Sequence, residues 1–178
     1  AGSFSNANGA AECSLCATGM FQGSKGQTAC DACTAGGFCE AGAVAPTLCA
    51  AGSYSAATGN AEQADCAPCP SGAFCSTGAE APTPCSPGTV QPLQAQGSCV
   101  KCAAGTYQHE PGAAACLTCT AGSYCEEGAS APLPCPGGTH QNTSLDVMTS
   151  VAQCVICPEG TFCSVGAEAP TPCAPGTV

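Results

Sequence analysis

The number and spacing of the cysteines limit the possible folds of this chain more than any other feature. Twenty of its 178 residues are cysteine, a proportion typical of disulfide scaffolds. The spacing C-x2-C-x5-C-x9-C occurs four times, in runs that begin at Cys30, Cys66, Cys116 and Cys154. The remaining four cysteines form two further C-x2-C pairs, Cys13 with Cys16 and Cys99 with Cys102. Because disulfides persist in oxidising compartments, we expect an extracellular protein, either secreted or on the cell surface.

The cysteine pattern also repeats over a longer distance. The first six cysteines recur 86 residues later, and the next four recur 88 residues later. The difference of two residues falls in the loop between Cys135 and Cys154, where an insertion costs little free energy. The pattern therefore predicts two copies of a double repeat, residues 1–86 and 87–174, with residues 175–178 beginning a further copy.

The rest of the composition offers little material for an ordinary core. There is no Trp, aromatic residues make up 4% of the chain, and the hydrophobic 44% consists largely of Ala and Cys. The 23 Gly and 15 Pro disfavour regular helix. We expect small disulfide-rich repeats with little helix and no large hydrophobic core, in which covalent links offset chain entropy.

Every aromatic residue lies two positions after a glycine. This pattern suits a tight turn that leads into a short strand, with the ring packed on a neighbouring disulfide. One ring for each disulfide predicts a series of very small cores along an elongated rod. The x9 segments, such as EAGAVAPTL, predict stiff extended connectors because proline favours extended backbone. The aromatic series is Phe4, Phe21, Phe38, Tyr54, Phe74, Tyr107, Tyr124 and Phe162, and the equivalent positions elsewhere carry Val90, His140 and Val178.

Sequence alone does not fix the disulfide connectivity, but the pattern suggests a sequential scheme. Each cysteine that precedes a Gly-x-aromatic stretch would pair with the next cysteine along the chain. The long loops would be Cys16–Cys30, Cys49–Cys66, Cys85–Cys99, Cys102–Cys116 and Cys135–Cys154, and the short loops Cys33–Cys39, Cys69–Cys75, Cys119–Cys125 and Cys157–Cys163. The main alternative is an interleaved pairing within each four-cysteine run, first with third and second with fourth.

The sequential scheme leaves two cysteines, Cys13 and Cys173, without partners. By the repeat arithmetic they correspond to Cys99 and Cys85, which the scheme pairs with each other. We therefore expect Cys173 to bond to the equivalent of Cys13 in a following copy, within the same chain or in the next subunit. Further copies of the chain, joined head to tail, are the expected partners.

Two strings carry a family resemblance, CAAGSYSAATGNAEQADCAPCPSGAFC and CAAGTYQHEPGAAACLTCTAGSYC. They resemble the ephrin-receptor-like cysteine-rich repeats, relatives of tumour-necrosis-factor-receptor and EGF-like modules. The resemblance implies small β-hairpin modules stacked end to end. The composition, rich in Ala, Gly, Thr and Pro, also looks like that of algal or protist extracellular fibres such as flagellar hair proteins.

Charge and residue types argue against several classes of function. Lys25 and Lys101 are the only basic side chains against twelve acids, for a net charge of −10. This charge excludes nucleic acid as a partner and argues against direct membrane contact.

The C-x2-C pairs match zinc spacing, but the extracellular setting favours disulfides, so we expect no metal and no cofactor. His109 lies in a hydrophilic loop, and His140 fills a position that other repeats give to Tyr or Val. We therefore expect both histidines to be surface or turn residues and not general bases. With every cysteine assigned to a structural role, we expect no enzyme.

Glycosylation is the remaining chemical modification for which the sequence offers candidate sites. Asn142-Thr143-Ser144 is an N-glycosylation sequon on the largest loop. Proline-adjacent hydroxyls at Thr83, Ser86 and Thr171 are candidates for O-glycosylation. The alternative for these prolines is that they only stiffen the backbone.

The sequence favours a structural role outside the cell. The leading hypothesis is a building block of an extracellular filament, hair or surface coat made of disulfide-linked tandem repeats. The alternative is the cysteine-rich stalk or ligand-binding ectodomain of a cell-surface receptor or adhesin.

Overall fold

The computed structural model describes residues 1–176, and this part of the chain folds into ten two-stranded antiparallel hairpins. Hairpins 1 to 5 pair Ser3–Phe4 with Ser14–Leu15, Met20–Phe21 with Asp31–Ala32, Gly37–Phe38 with Thr47–Leu48, Ser53–Tyr54 with Ala67–Pro68, and Ala73–Phe74 with Thr83–Pro84. Hairpins 6 to 10 pair Thr89–Val90 with Val100–Lys101, Thr106–Tyr107 with Leu117–Thr118, Ser123–Tyr124 with Leu133–Pro134, Thr139–His140 with Val155–Ile156, and Thr161–Phe162 with Thr171–Pro172. Two short 3-10 helices, Gln63–Asp65 and Val151–Gln153, lie in the loops of hairpins 4 and 9. The prediction of hairpin modules with little helix is confirmed.

Each hairpin begins at the glycine that lies two residues before the aromatic position, which we call its turn glycine. Gly36, for example, has a φ of +72°, a backbone conformation that residues with a Cβ rarely adopt. Phe38 then occupies the second position of the first strand. The hairpin closes where Cys49, after the second strand, donates its N–H to the Gly36 carbonyl over 2.9 Å. The predicted tight turn into a short strand is confirmed.

A second glycine with positive φ lies in the loop of most hairpins, and we call it the loop glycine. Gly42 in hairpin 3 and Gly78 in hairpin 5 have φ values of +74° and +75°. Both fall inside x9 segments, so the prediction that these segments are stiff extended connectors is wrong. They form the hairpin loop instead, because the Gly inserts a turn ahead of the Ala-Pro step. The loop glycines are Gly9, Gly26, Gly42, Gly59, Gly78, Gly112, Gly128 and Gly166, and Ala95 takes this place in hairpin 6.

Backbone hydrogen bonds join successive hairpins and, at most positions, also join a hairpin to the next but one. The turn glycine Gly36 of hairpin 3 donates to the Ser55 carbonyl of hairpin 4 over 2.8 Å. The loop glycine Gly78 of hairpin 5 donates to the carbonyl of Cys49, at the end of hairpin 3, over 2.9 Å. Since the same two bonds recur along the chain, the structural repeat is a single hairpin.

Sulfur atoms take the place of an apolar core. Of the side chains with less than 2% exposure among the described residues, all but Met148 belong to cysteines. Large hydrophobic side chains such as Leu48 and Leu133 are about half exposed, at 53% and 49%. The expected absence of a large hydrophobic core follows from this pattern, since most apolar groups larger than cysteine lie at the surface.

The chain divides into two compact units. One consists of Ala1–Pro84 with Gln91–Cys99, and the other consists of Cys85–Val90 with the chain from Val100 onward. The division of the sequence into copies 1–86 and 87–174 remains a prediction. The proposed start of a further copy at residues 175–178, including Val178, extends outside the described residues.

Candidate functional site: the disulfide series and its ends

The disulfide series is the feature that most distinguishes this molecule chemically. Its long loops are Cys16–Cys30, Cys49–Cys66, Cys102–Cys116 and Cys135–Cys154. Its short loops are Cys33–Cys39, Cys69–Cys75, Cys119–Cys125 and Cys157–Cys163. Cys85 and Cys99 are disulfide-bonded as well. The bonds that the structure shows are those of the sequential scheme and not those of the interleaved alternative.

Each of these bonds joins the end of one hairpin to the hairpin that follows. Cys33 comes directly after the second strand of hairpin 2, and its partner Cys39 directly after the first strand of hairpin 3. In the long loops the partner instead precedes a second strand, as Cys30 does in hairpin 2. The disulfides therefore connect successive hairpins, which hydrogen bonds also join.

Cys13 and Cys173 are the two free cysteines among the described residues, and both are exposed. Cys173 follows the second strand of hairpin 10, which is the position from which other hairpins bond to their successor. Cys13 precedes the second strand of hairpin 1, which is the position that receives such a bond in the long loops. In hairpins 1 to 8 the hairpin-end cysteine is buried, as Cys33 and Cys49 are at 0% exposure, whereas Cys157 of hairpin 9 is half-buried.

Aromatic rings pack on the disulfides, as the sequence predicts, where a following hairpin is present. Phe38 is 8% exposed and packs with Cys49 and Cys66. Tyr54 packs against the cluster that contains Cys69 and Cys75. Phe162 in hairpin 10 is instead 54% exposed, and the cysteine that follows its hairpin, Cys173, is free.

Buried glutamines are a structural element that the sequence analysis missed. Gln22, Gln91 and Gln108 follow the aromatic position and are 4–6% exposed. The Gln22 Nε2 donates to the Ala29 carbonyl over 2.9 Å, and its Oε1 accepts the Ser24 N–H over 2.9 Å. Gln91 and Gln108 make the same two bonds in hairpins 6 and 7. The buried glutamine therefore stabilises the conformation of a loop that has no regular secondary structure.

The candidate glycan sites lie at accessible positions. Asn142 is half-buried, and its Oδ1 accepts the Ser144 N–H over 3.0 Å. Thr83 and Thr171 lie in second strands, Ser86 follows Cys85, and all three are exposed. The three O-glycosylation candidates are thus exposed and Asn142 is partly exposed, and glycosylation at all four positions remains a prediction.

The two histidines are not brought together. His109 lies on an exposed loop, 3.8 Å from a Glu110 carboxylate oxygen, and its ring stacks on Tyr107. The His140 Nδ1 lies 2.7 Å from the carbonyl oxygen of Gln141. Within residues 1–176, no group of three or more His, Cys, Asp or Glu side chains is arranged to hold a metal ion.

No helix in the part of the chain that the structure describes has the length and apolar character needed to cross a bilayer.

Comparison with known proteins agrees with the module type. Residues 2–42 and 88–131 match the family described as tyrosine-protein kinase ephrin type A/B receptor-like. No curated protein matches the chain significantly. The two matched segments are ephrin-receptor-like cysteine-rich repeats, so the resemblance read from the sequence is confirmed for them. Together with the nine disulfides, they indicate an extracellular cysteine-rich domain.

Proposed function

We propose, from these ephrin-receptor-like segments and the disulfide series that contains them, that the chain is a building block of an extracellular filament, hair or surface coat. Its partners are further copies of itself, joined head to tail. Its role is mechanical, because hairpins that are covalently joined to their neighbours by disulfides resist unfolding and proteolysis. This is the kind of structure that extracellular fibres of the flagellar-hair type would need.

One observation carries the proposal. The exposed thiols of Cys173 and Cys13 occupy the two complementary positions of the disulfide series, one at each end. A bond between Cys173 of one copy and Cys13 of the next would continue the series without changing its geometry. Forming that bond breaks the S–S bond of a small disulfide such as oxidised glutathione, which takes up the two electrons and the two thiol protons and leaves as two thiols. Repetition of this step would give a linear polymer, since the joined surfaces are different.

The proposal gives the chain no catalytic, metal-binding or nucleic-acid-binding role. The acidic composition of the chain supports the exclusion of nucleic acid, since the net charge of −10 would repel phosphate backbones and anionic lipid surfaces. Covalent glycans at Asn142 or at the exposed threonines would hydrate a surface that has few charges of its own.

A second candidate function is the stalk or ligand-binding ectodomain of a cell-surface receptor or adhesin. The description of the matched family, which names a receptor kinase, favours this alternative. In such a protein the series of hairpins would place a separate ligand-binding domain at a distance from the membrane.

Electron microscopy of the native material tests the proposal. We expect unbranched filaments whose axial repeat corresponds to the length of one chain. Material that consists only of separate particles one chain long, under oxidising conditions, would contradict the filament role and favour the receptor alternative.

A further inference from the structure

We infer that the second strands of hairpins 6, 7 and 8 form an interaction surface for a basic segment of another protein. This surface, which we call the apolar strand surface, consists of Val100, Leu117 and Leu133. It lies entirely within the compact unit that contains the chain from Val100 onward. The inference is independent of the proposed head-to-tail assembly, since none of these residues lies in a terminal hairpin.

The three side chains are exposed although they lie across the hairpin from the aromatic position. Val100, Leu117 and Leu133 have exposed fractions of 51%, 42% and 49%. Each of their hairpins has two hairpins before it and two after it in the described chain, so the exposure does not come from a missing neighbour. Directly opposed residues of an antiparallel pair share one face, and the pairs here are Val90 with Val100, Tyr107 with Leu117, and Tyr124 with Leu133.

The other compact unit shows that folding does not require an apolar residue at this position. The equivalent residues, 86 positions earlier, are Ser14, Asp31 and Thr47. They pair with aromatic residues in the same register and are also exposed. Since the position is open to solvent in both units, burial within the chain does not account for the apolar residues. A single exposed apolar side chain is ordinary, but three at one structural position indicate a contact surface.

The loop of hairpin 8 links the three hairpins. Its Ala129 forms a parallel backbone bridge with Tyr107, the residue opposite Leu117 in hairpin 7. Its Gly128 lies against the second strand of hairpin 6, where the Lys101 Cδ is 3.5 Å from a Cβ added at the glycine. The third apolar side chain belongs to hairpin 8 itself. The apolar strand surface is therefore assembled around one loop.

A groove of about 320 Å³ lies in this loop beside Leu133. Ala129 and Ala131 line it together with Leu133, and so do Glu126 and Glu127. Lysine and arginine side chains place their aliphatic stems along apolar surface while the charged group stays near water and carboxylates. The groove therefore fits a lysine or arginine side chain of a partner, with its stem against the apolar residues and its charge at the glutamates.

The charge around the surface favours a basic partner over a second copy of this chain. Two glutamates line the groove, and a third, Glu110, lies 3.8 Å from His109, whose ring stacks on Tyr107. Lys101 is the only lysine or arginine of this unit, and it already pairs with Glu127 at 3.3 Å. A second copy that docked through the same face would bring the same glutamates, and like charges repel. A segment that carries lysine or arginine beside apolar side chains matches both features of the surface.

An NMR titration of the full chain tests the inference. The starting protein carries Cys13→Ser and Cys173→Ser, so that no disulfide forms between chains. The probe is a synthetic peptide that alternates leucine and lysine, and the control peptide has glutamate in place of each lysine. We expect the lysine peptide to shift the amide signals of the apolar strand surface in a saturable way. The signals of the equivalent residues of the other unit should stay unchanged.

A pair of variants separates this surface from general apolar exposure. The test variant adds Val100→Ser and Leu133→Thr, which are the residues that the other unit carries at these positions. The matched control adds the same exchanges elsewhere, Val44→Ser and Leu93→Thr, at side chains that are 55% and 62% exposed. We expect the test variant to bind the lysine peptide about tenfold or more weakly, because apolar contact area is lost. The control should bind it as the starting protein does.

Several outcomes would overturn the inference. They are the absence of saturable binding of the lysine peptide, equal shifts in the two units, equal affinity of the test variant and the control, and tighter binding of the glutamate peptide. Self-association of the starting protein in sedimentation equilibrium, if the test variant abolished it, would also overturn the inference, because the occupant would then be a second copy. Filament formation enters none of these measurements, so the filament role is tested separately.

Discussion

The buried glutamines are the single residues on which the hairpin loops depend most directly. Replacing Gln22 with alanine leaves the Ala29 carbonyl and the Ser24 N–H without their partner. Because Ser24 and Ala29 are exposed residues, water can replace part of this bonding, and each lost hydrogen bond costs about 0.5–1.5 kcal/mol. We expect the amide protons of hairpin 2, including that of Cys33, to exchange with solvent about tenfold faster or more in hydrogen-exchange measurements on Gln22→Ala.

The matched control for this prediction is Gln27→Ala in the same loop. Gln27 is exposed, so its truncation should leave the exchange rates of hairpin 2 unchanged. If the two variants protect the Cys33 amide equally well, the glutamine does not hold the loop.

Asn142 gives a second prediction at the residue scale. When the chain passes through a eukaryotic secretory pathway, we expect an N-glycan on its side-chain nitrogen, because Asn142 lies in a sequon. Mass spectrometry before and after enzymatic removal of N-glycans should show a mass loss that Ser144→Ala abolishes. Asn60, which is buried and lies outside a sequon, should carry none, and an unmodified Asn142 in the secreted chain would contradict the prediction.

The residues that sequence could identify are those that recur in a fixed register in most hairpins. Phe38 and Tyr54 stand in a fixed register with glycine and cysteine, so their packing on disulfides could be predicted. Gln22 could not, because the same position holds Cys39 in hairpin 3 and Ser55 in hairpin 4. Its role depends on the loop type, and only the folded loop shows which atoms it joins.

At the scale of the hairpin, an aromatic ring should matter only where a following hairpin covers it. Phe38→Ala removes a buried ring beside Cys49–Cys66, a change that typically costs about 3–5 kcal/mol. Phe162→Ala is the matched control, since Phe162 is 54% exposed. We expect the Cys49–Cys66 bond of Phe38→Ala to be reduced by a thiol at least tenfold faster than in the unmodified chain, measured by alkylation and mass spectrometry. A reduction rate that matches the Phe162→Ala variant would show that the ring does not protect the bond.

The hairpins also predict an unusual result with trypsin. Lys25 lies in an exposed loop that the Cys16–Cys30 bond spans, whereas Lys101 lies in a strand and pairs with Glu127 at 3.3 Å. We expect one cut, after Lys25, with the two pieces separating on a gel only after reduction. Lys25→Gln should remain intact. Rapid cleavage at Lys101, or release of the first 25 residues without reductant, would contradict the hairpin structure.

Loop conformation is where prediction from the sequence was wrong at this scale. The Ala-Pro steps of the x9 segments suggested extended connectors. The glycine ahead of them, such as Gly42, instead makes a turn and contacts Gly2 and Cys16. That contact joins residues far apart in sequence, and no local pattern in the x9 segment specifies it.

For the molecule as a whole, the disulfides and the hydrogen bonds between hairpins both connect a hairpin to hairpins that follow it closely in the sequence. The cysteine spacing was enough to propose the sequential pairs, because each cysteine bonds only to the next hairpin. The offset of two hairpins in the glycine contacts was not accessible, since it depends on how the hairpins stack in three dimensions.

Mass-spectrometric mapping of the disulfides in the native, non-reduced material is the most direct test of the proposed assembly. We predict a cross-linked peptide pair that contains Cys13 and Cys173, together with the internal sequential pairs. Isotope labelling of mixed copies would show that the two peptides come from different chains. Native material in which Cys173 is free, or bonded to any other cysteine, would contradict the head-to-tail assembly of these chains.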